Sequence, residues 1–354
     1  MSIIQSIRHS IPTNRVSQFV VRDFARNLFS GSSLNIERLL PVFENSSIES
    51  RPVLMDLEWY GETKTFQEKN ALFVEHSLRL AKSACEDAIQ DSGYSKSDIG
   101  AIIVVSTSGF VTPGLDARLI DLLGLSDDII RIPIVGFGCA GGVYGLARAR
   151  ELSLVYPDIN ILLVAVETCT LTFRPADKRK ANLIALSLFS DGASALIISN
   201  RYKKNSIRLL KGYSKKFPNS LSIMGWDIEQ DGLQVIFDRS IPSLILQDFA
   251  KVFHHFLNNC NLQQKDIKHY LFHPGGKKVL DAFEESLQIT QKDLRYSHDV
   301  LRNFGNISSP TVYFVIEEFL KYSNISEIDK GIMAAMGPGF SAELMLFEAT
   351  GDTT

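Results

Sequence analysis

One loop design recurs along this chain and constrains its fold more than any other feature. Phe137-Gly138-Cys139-Ala140-Gly141-Gly142 is echoed by Phe304-Gly305-Asn306-Ile307-Ser308-Ser309, at an offset of 167 residues. The same offset carries Ser106 onto His273 and Gly109 onto Gly276, in Phe272-His273-Pro274-Gly275-Gly276. Each loop is expected to follow an apolar strand and to precede a helix. Asp191-Gly192-Ala193-Ser194-Ala195-Leu196 also resembles Gly339-Phe340-Ser341-Ala342-Glu343-Leu344 at a shorter offset, which leaves extra chain in the first half around residues 170–189. A repeat of this length means one supersecondary unit used twice. Related loops would then face each other across a pseudo-twofold axis, with Cys139 and Asn306 at equivalent positions.

The segments between the loops suit such a unit. Residues 102–105, 159–166, 195–198, 270–272 and 331–336 are almost unbroken apolar runs, the pattern of strands buried on both faces. Residues 73–89, 143–154, 244–257 and 311–322 have helical period. Alternating strands and helices predict a layered α/β architecture. The polar stretch from Asn200 to Ser206 divides it into an N-terminal half (1–200) and a C-terminal half (201–354).

Composition removes several function classes. Hydrophobic residues make up 45% and charged residues 22%, and the net charge is −3 with no dense basic stripe, so no nucleic-acid surface is expected. No apolar segment reaches bilayer-spanning length, and the N-terminus lacks a signal-peptide pattern, so neither membrane insertion nor export is expected. Cys85, Cys139, Cys169 and Cys260 are widely spaced, with no metal-ligand pattern. A cytoplasmic protein with reduced thiols and no metal is the expectation. The adjacent pair His254-His255 would point its two rings apart on a helix, which disfavours a shared metal.

Cys139 lies where a strand gives way to a helix beginning near Ala140. A helix N-terminus stabilises a thiolate, and the flanking glycines would let backbone approach an acyl group. Taken singly, each of the three loop residues has a plain reading as well. Cys139 could be a small buried hydrophobe, His273 a core histidine, and Asn306 an N-cap. Recurrence of one loop design carrying a thiol, an imidazole and an amide is what favours thioester chemistry.

With these motifs on the page, the chain resembles the type III polyketide synthases, the chalcone synthase-like branch of the thiolase superfamily. The resemblance runs through nearly the whole chain. It rests on the Cys139 loop, Thr172-Phe173-Arg174-Pro175, Leu188-Phe189-Ser190-Asp191-Gly192, His273-Pro-Gly-Gly, Gly305-Asn306-Ile-Ser-Ser and Gly337-Pro338-Gly339-Phe340. Ser106-Thr-Ser-Gly and Pro113-Gly-Leu-Asp also fit. It implies a thiolase fold with duplicated βαβαβ halves in α-β-α-β-α layers. It implies Cys139 as acyl carrier, with His273 pairing with its thiolate, and His273 and Asn306 as donors to the enolate formed when malonyl-CoA loses CO₂. CoA thioesters are then substrates, no cofactor is expected, and relatives of this fold are usually homodimers. Thr112 lies where plant members place a methionine that reaches into the partner's cavity.

The resemblance also marks a pocket. Phe189 corresponds to an aromatic gatekeeper between CoA tunnel and cavity. Thr172, Ser308 and the Gly337-Pro338-Gly339 loop are expected in the cavity wall. Cys169 stands where plant members have Thr, and Val235 near a plant cavity aromatic. Residues 39–50 lack the Lys and Arg that plant members place against the CoA phosphates, so Lys277 and Lys278 are the candidate replacements. A smaller, more apolar lining suits a fatty acyl starter giving alkylpyrones or alkylresorcinols. Residues 58–70 also look more like bacterial alkylpyrone-forming members. An aromatic-starter or malonyl-only synthase is the alternative within the family. A ketoacyl synthase III-like enzyme fed by an acyl carrier protein is the alternative outside it, but that family has His-Gln-Ala-Asn where this chain has His273-Pro-Gly-Gly. A catalytically dead scaffold would have no use for an intact Cys, His and Asn.

Overall fold

The computed structural model describes residues 1–31, 35–323, 325 and 328–351. Nine strands form one mixed sheet: β1 (Ile3–Ser10), β2 (Ile99–Val105), β3 (Ile130–Ile134), β4 (Asn160–Thr168), β5 (Asp191–Ser199), β6 (Ser206–Lys216), β9 (His269–Phe272), β10 (Ile328–Gly337) and β11 (Ser341–Thr350). A separate hairpin, β7 (Met224–Glu229) with β8 (Gly232–Phe237), is inserted in the second half. The sheet order is β9-β10-β11-β6-β1-β5-β4-β2-β3.

The repeat is visible in strand order and direction. In the first half β2 lies parallel to β4, β4 antiparallel to β5, and β5 antiparallel to β1. In the second half β9 lies parallel to β10, β10 antiparallel to β11, and β11 antiparallel to β6. The two series meet at a single register pair, Ile3 with Arg208.

Every apolar run proposed as a strand lies in one, and each is buried on both faces. In β2, Ala101, Ile103 and Val105 face the central core while Ile102 and Val104 face an outer one. In β10, Met333 and Ala335 face the same central core while Ile332, Ala334 and Met336 face the opposite outer layer. The central layer consists of the helices α4 (Gly141–Val155) and α9 (Thr311–Tyr322). The first outer layer is α2 (Phe66–Ser92) with α3 (Leu115–Leu123). The second is α6 (Ala250–Asn258) with α7 (Lys277–Leu287). Five layers, α-β-α-β-α, result.

Local signals set the helix ends. Thr65 and Glu68 form a capping box that starts α2, and Gly93 in the left-handed region stops it. The 244–257 run is not one α-helix: residues Ile245–Phe249 form a π-turn before α6, which buries both Ile245 and Phe249. A larger difference concerns the loops. The Cys139 loop follows strand β3, but the Asn306 loop follows helix α8 (Arg295–Phe304), not a strand. Tyr296, Val300 and Leu301 put the buried residues of α8 at helical spacing, whereas β3 alternates about Arg131 and carries Pro133 at the sheet edge. The glycines after Cys139 serve packing rather than acyl approach: a Cβ on Gly142 would lie 2.3 Å from the Ser309 carbonyl. Two further helices, α1 (Gln18–Phe29) and α5 (Lys180–Leu188), cover one end of the first half. Among the described residues no helix is long and apolar enough to cross a membrane.

Candidate active site

Cys139 occupies the short 3₁₀ turn Gly138–Ala140 that leads into α4, and is 7% exposed. The Gly138 N–H donates to Thr107 Oγ1 at 3.1 Å, tying this turn to the end of β2. Asn306 reaches it from the other half, with both carboxamide atoms 3.8 Å from Cys139 Sγ. Its Nδ2 also donates to the Gly275 carbonyl at 3.3 Å, and its Oδ1 accepts from the Ser308 N–H at 2.7 Å. One amide therefore bridges the thiol loop and the His273-Pro-Gly-Gly loop. Its backbone is pinned as well: Asn306 N–H donates to Leu188 O, and Ser190 N–H to Asn306 O. Phe189 is held beside it as an isolated parallel bridge.

His273 continues the β9–β10 ladder, its N–H donating to Ala334 O, and its ring is buried. Neither ring nitrogen has a partner, so the expected hydrogen bond from His273 to the sulfur is absent in this resting geometry. The sulfur's neighbours are instead Asn306 and Ser308. Burial, only partly offset by their hydrogen bonds, pushes the Cys139 thiol up to about 11. Burial alone pulls His273 down to about 3. Both groups rest neutral because each is desolvated without a counter-ion. A neutral imidazole with both nitrogens free can take the thiol proton, and the resulting ion pair offsets the desolvation that opposes either charge alone.

Cys139, Cys169, Phe189, Val235, Ser308 and Pro338 line one cavity, so the structure brings these expected residues together. Thr172 does not join them; its Oγ1 donates to the Cys169 carbonyl at 2.6 Å and it lines a second space behind Cys169. Gly337 supports the thiol loop rather than the cavity surface, since a Cβ there would lie 2.4 Å from the Phe137 carbonyl. Gly339 turns the chain between β10 and β11 at φ +127°, outside the lining. Lys277 and Lys278 open α7; Lys277 is paired with Asp281 at 2.7 Å, and Lys278 is exposed.

Three lining features escaped the sequence reading. Trp226 and Phe237 of the hairpin pack against Phe189 with ring centres 5.9 and 5.5 Å away. Glu167 is fully buried in the wall and accepts from the Thr107 and Ser108 N–H groups and Ser309 Oγ at 2.9–3.0 Å. Burial outweighs those bonds and pushes its carboxyl up to about 7. A signal for it was present: Glu167 ends the apolar run 159–166, and a carboxylate closing a buried strand commonly marks a site at the strand's C-terminal end.

A thiol at a helix start, a neutral imidazole and a bridging amide, in two halves of a duplicated five-layer α/β fold, define a thiolase-fold condensing enzyme. The N-terminal domain of chalcone and stilbene synthases matches residues 47–201, and their C-terminal domain matches residues 209–350. A putative chalcone synthase of Bacillus subtilis is 38% identical, covering 98% of both chains. An alpha-pyrone synthesis polyketide synthase-like protein of Mycobacterium tuberculosis is 28% identical over 98% of this chain and 91% of its own. The crystal structure of 1,3,6,8-tetrahydroxynaphthalene synthase from Streptomyces coelicolor, a bacterial type III polyketide synthase, superposes with a TM-score of 0.94 at 26% identity, covering 98% of this chain and 99% of that one. The chain belongs to the chalcone and stilbene synthase family, the type III polyketide synthases, which are condensing acyltransferases acting on CoA thioesters.

Proposed function

We propose that this synthase loads a fatty acyl group from its CoA thioester onto Cys139 and extends it with malonyl-CoA to an alkylpyrone or alkylresorcinol. His273 takes the Cys139 proton as the sulfur attacks, and CoA leaves as its thiol. Malonyl-CoA then loses CO₂, and the charge left on its thioester oxygen is met by hydrogen bonds from His273 and Asn306. The resulting carbanion attacks the Cys139 thioester, forming a C–C bond and freeing the thiol, and the lengthened chain reloads. No cofactor is required, since the thioesters carry both acyl group and leaving group. Lys277 and Lys278 are the proposed contacts for CoA phosphates. A homodimer in the cytoplasm is the expected working form.

One observation carries the choice of starter. Around Cys139 the wall is mostly apolar (Cys169, Val235, Phe189, Met224, Trp226 and Phe237). Its polar side chains among the described residues are the Thr107 and Ser308 hydroxyls and the Glu167 carboxyl; Thr107 Oγ1 already accepts from the Gly138 N–H and the Glu167 oxygens are committed. Such a wall offers an acyl chain burial but few hydrogen bonds, which favours an aliphatic starter over a hydroxylated ring. The test is incubation of the pure protein with malonyl-CoA and graded acyl-CoAs, with products identified by mass. Alkylpyrones or alkylresorcinols from fatty acyl-CoAs are expected. A polyhydroxylated aromatic product from malonyl-CoA alone, or extension only from a malonyl carrier protein, overturns the reading.

A further inference from the structure

The β7–β8 hairpin stands outside the nine-stranded sheet, yet it supplies Met224, Trp226, Val235 and Phe237 to the wall of the Cys139 cavity. A lone two-stranded hairpin is marginally stable, so its position depends on how it is tied to the body. Near its base the ties are ring contacts of Trp226 and Phe237 with Phe189, and one hydrogen bond from Arg179 Nη2 to Val235 O at 3.2 Å. The two-residue turn at its tip, Gln230-Asp231, is held more firmly. The Phe66 N–H donates to Gln230 O at 3.1 Å, and Arg174 Nε donates to Asp231 Oδ1 at 2.6 Å, with Nη2 equally close.

The body's side of this anchor contains two cations. Lys69 of α2 is buried, donates to Phe173 O at 2.7 Å, and lies 3.3 Å from where a Cβ on Gly232 would sit. Burial pulls its ammonium down to about 8, and Asp231 opposes that shift. The Arg174 side chain is 11% exposed, and its Nη1 has no hydrogen-bond partner, with Asp177 3.8 Å away and itself paired with Arg179. Of the hairpin's acidic residues Asp227, Glu229 and Asp231, only Asp231 forms an ion pair among the described residues. Phe173 and Arg174 directly follow the turn Cys169–Thr172, so the anchor joins the hairpin to another wall of the same cavity. Four residues, roughly 13 Å of strand, separate Asp231 from Val235. Loss of grip at the tip therefore becomes displacement at the wall.

We infer that Asp231 is a positioning residue: its carboxylate, held by Arg174 beside Lys69, keeps the β7–β8 hairpin closed over Cys139 and shields the acylated sulfur from water. The inference rests on Cys139 as the acyl carrier, not on which starter it holds. Without that carboxylate Lys69 loses its counter-charge and Arg174 keeps only Asp177, so both are drawn toward water and the tip lifts. Water then adds to the thioester carbonyl, the C–S bond breaks, the acyl group leaves as its free acid and the sulfur recovers a proton.

The experiment compares wild type, Asp231→Asn and Asp231→Glu, following iodoacetamide labelling of each cysteine by peptide mass. Loss of a charge-assisted hydrogen bond shifts the closed-to-open balance by about tenfold, so Cys139 should label about tenfold faster in Asp231→Asn. Asp231→Glu keeps the charge and should label more slowly than Asp231→Asn. Cys85, fully buried in the layer formed by α2, reports general loosening and should stay unlabelled in all three. In parallel, an octanoyl thioester formed on Cys139 from octanoyl-CoA should be lost as octanoic acid about tenfold faster in Asp231→Asn. Equal Cys139 labelling in the three proteins overturns the inference. So does labelling of Cys85 in step with Cys139, or an Asp231→Glu that behaves as Asp231→Asn. Faster labelling with an unchanged thioester lifetime refutes the shielding. A wild type that accepts no octanoyl group overturns the fatty acyl reading, while the labelling still decides the role of Asp231.

Discussion

The Cys139 and Asn306 loops occupy equivalent places in two halves with the same strand order, yet they are built in opposite ways. Cys139 sits on a 3₁₀ turn held by one bond to Thr107 and by the close fit of Gly337. Asn306 follows a helix instead of a strand, and its backbone is locked on both sides to Leu188 and Ser190, in the extra chain of the first half. In the proposed reaction the sulfur must be reachable from the cavity at a helix start, though it is otherwise buried, while the amide must keep a fixed direction. Duplication supplied one scaffold, and each copy was braced for a different demand.

The comparison breaks most completely at the sulfur. Cys139→Ala should abolish the acyl-enzyme mass shift and lower product formation by about 10⁴-fold or more, while malonyl-CoA decarboxylation, assigned to the other half, persists. If decarboxylation disappears as well, the division of labour between the loops is wrong. Asn306→Asp replaces a donor with a carboxylate that repels the enolate and should cut decarboxylation by about 10²–10³, leaving Cys139 acylation measurable by mass. Normal decarboxylation by that variant refutes the oxyanion role.

Gly337→Ala probes the brace of the thiol loop. The new methyl would lie 2.4 Å from the Phe137 carbonyl and 2.6 Å from Ala140 Cβ, which should cost about 1–3 kcal/mol in urea unfolding. Unaltered stability would mean that the two loops are less tightly fitted than they look. Glu167 tests the wall between them through pH. Its carboxyl is held up at about 7 against an ordinary 4.5, so the folded state binds this proton more tightly than the unfolded chain. The stabilisation is complete below about pH 4.5 and is lost as pH rises through 7, on the order of 3 kcal/mol. Asp191, pushed up to about 6, adds a slope of the same sign. Glu167→Gln should therefore flatten, without abolishing, the fall in unfolding free energy between pH 4.5 and 7.5; an unchanged slope would show that Glu167 stays ionised. The smallest effect is expected at the mouth. Charge reversal at Lys277 and Lys278 should raise the acyl-CoA KM by roughly two- to fivefold, as for exposed ion pairs, and an unchanged KM removes them from CoA binding.

The Cys139, His273 and Asn306 loops were legible because their evidence is local and repeated: two pairs of loops share one offset. Strands β2, β4 and β10 were legible because burial on both faces demands unbroken apolar runs. The helix before Asn306 was missed because equivalence with the β3 segment was inferred from the loop that follows, and loop similarity does not oblige the preceding element to match. Trp226 and Phe237 were missed because they come from an inserted hairpin with no counterpart in the first half. Thr172 lies in the second space, apart from Cys169's side of the Cys139 cavity, because residues close in sequence can face opposite sides of a wall.

The sequence by itself determined the layered α/β class and the duplication, and it singled out Cys139, His273 and Asn306 as candidates, since periodicity and loop chemistry are written residue by residue. Only the tertiary structure decided that Asn306 rather than His273 touches the resting sulfur, that Glu167 is buried beside it, and that Phe189 and Cys169 divide two cavities. These facts depend on distances between segments far apart in the chain, and on which groups lose water when the halves close on each other.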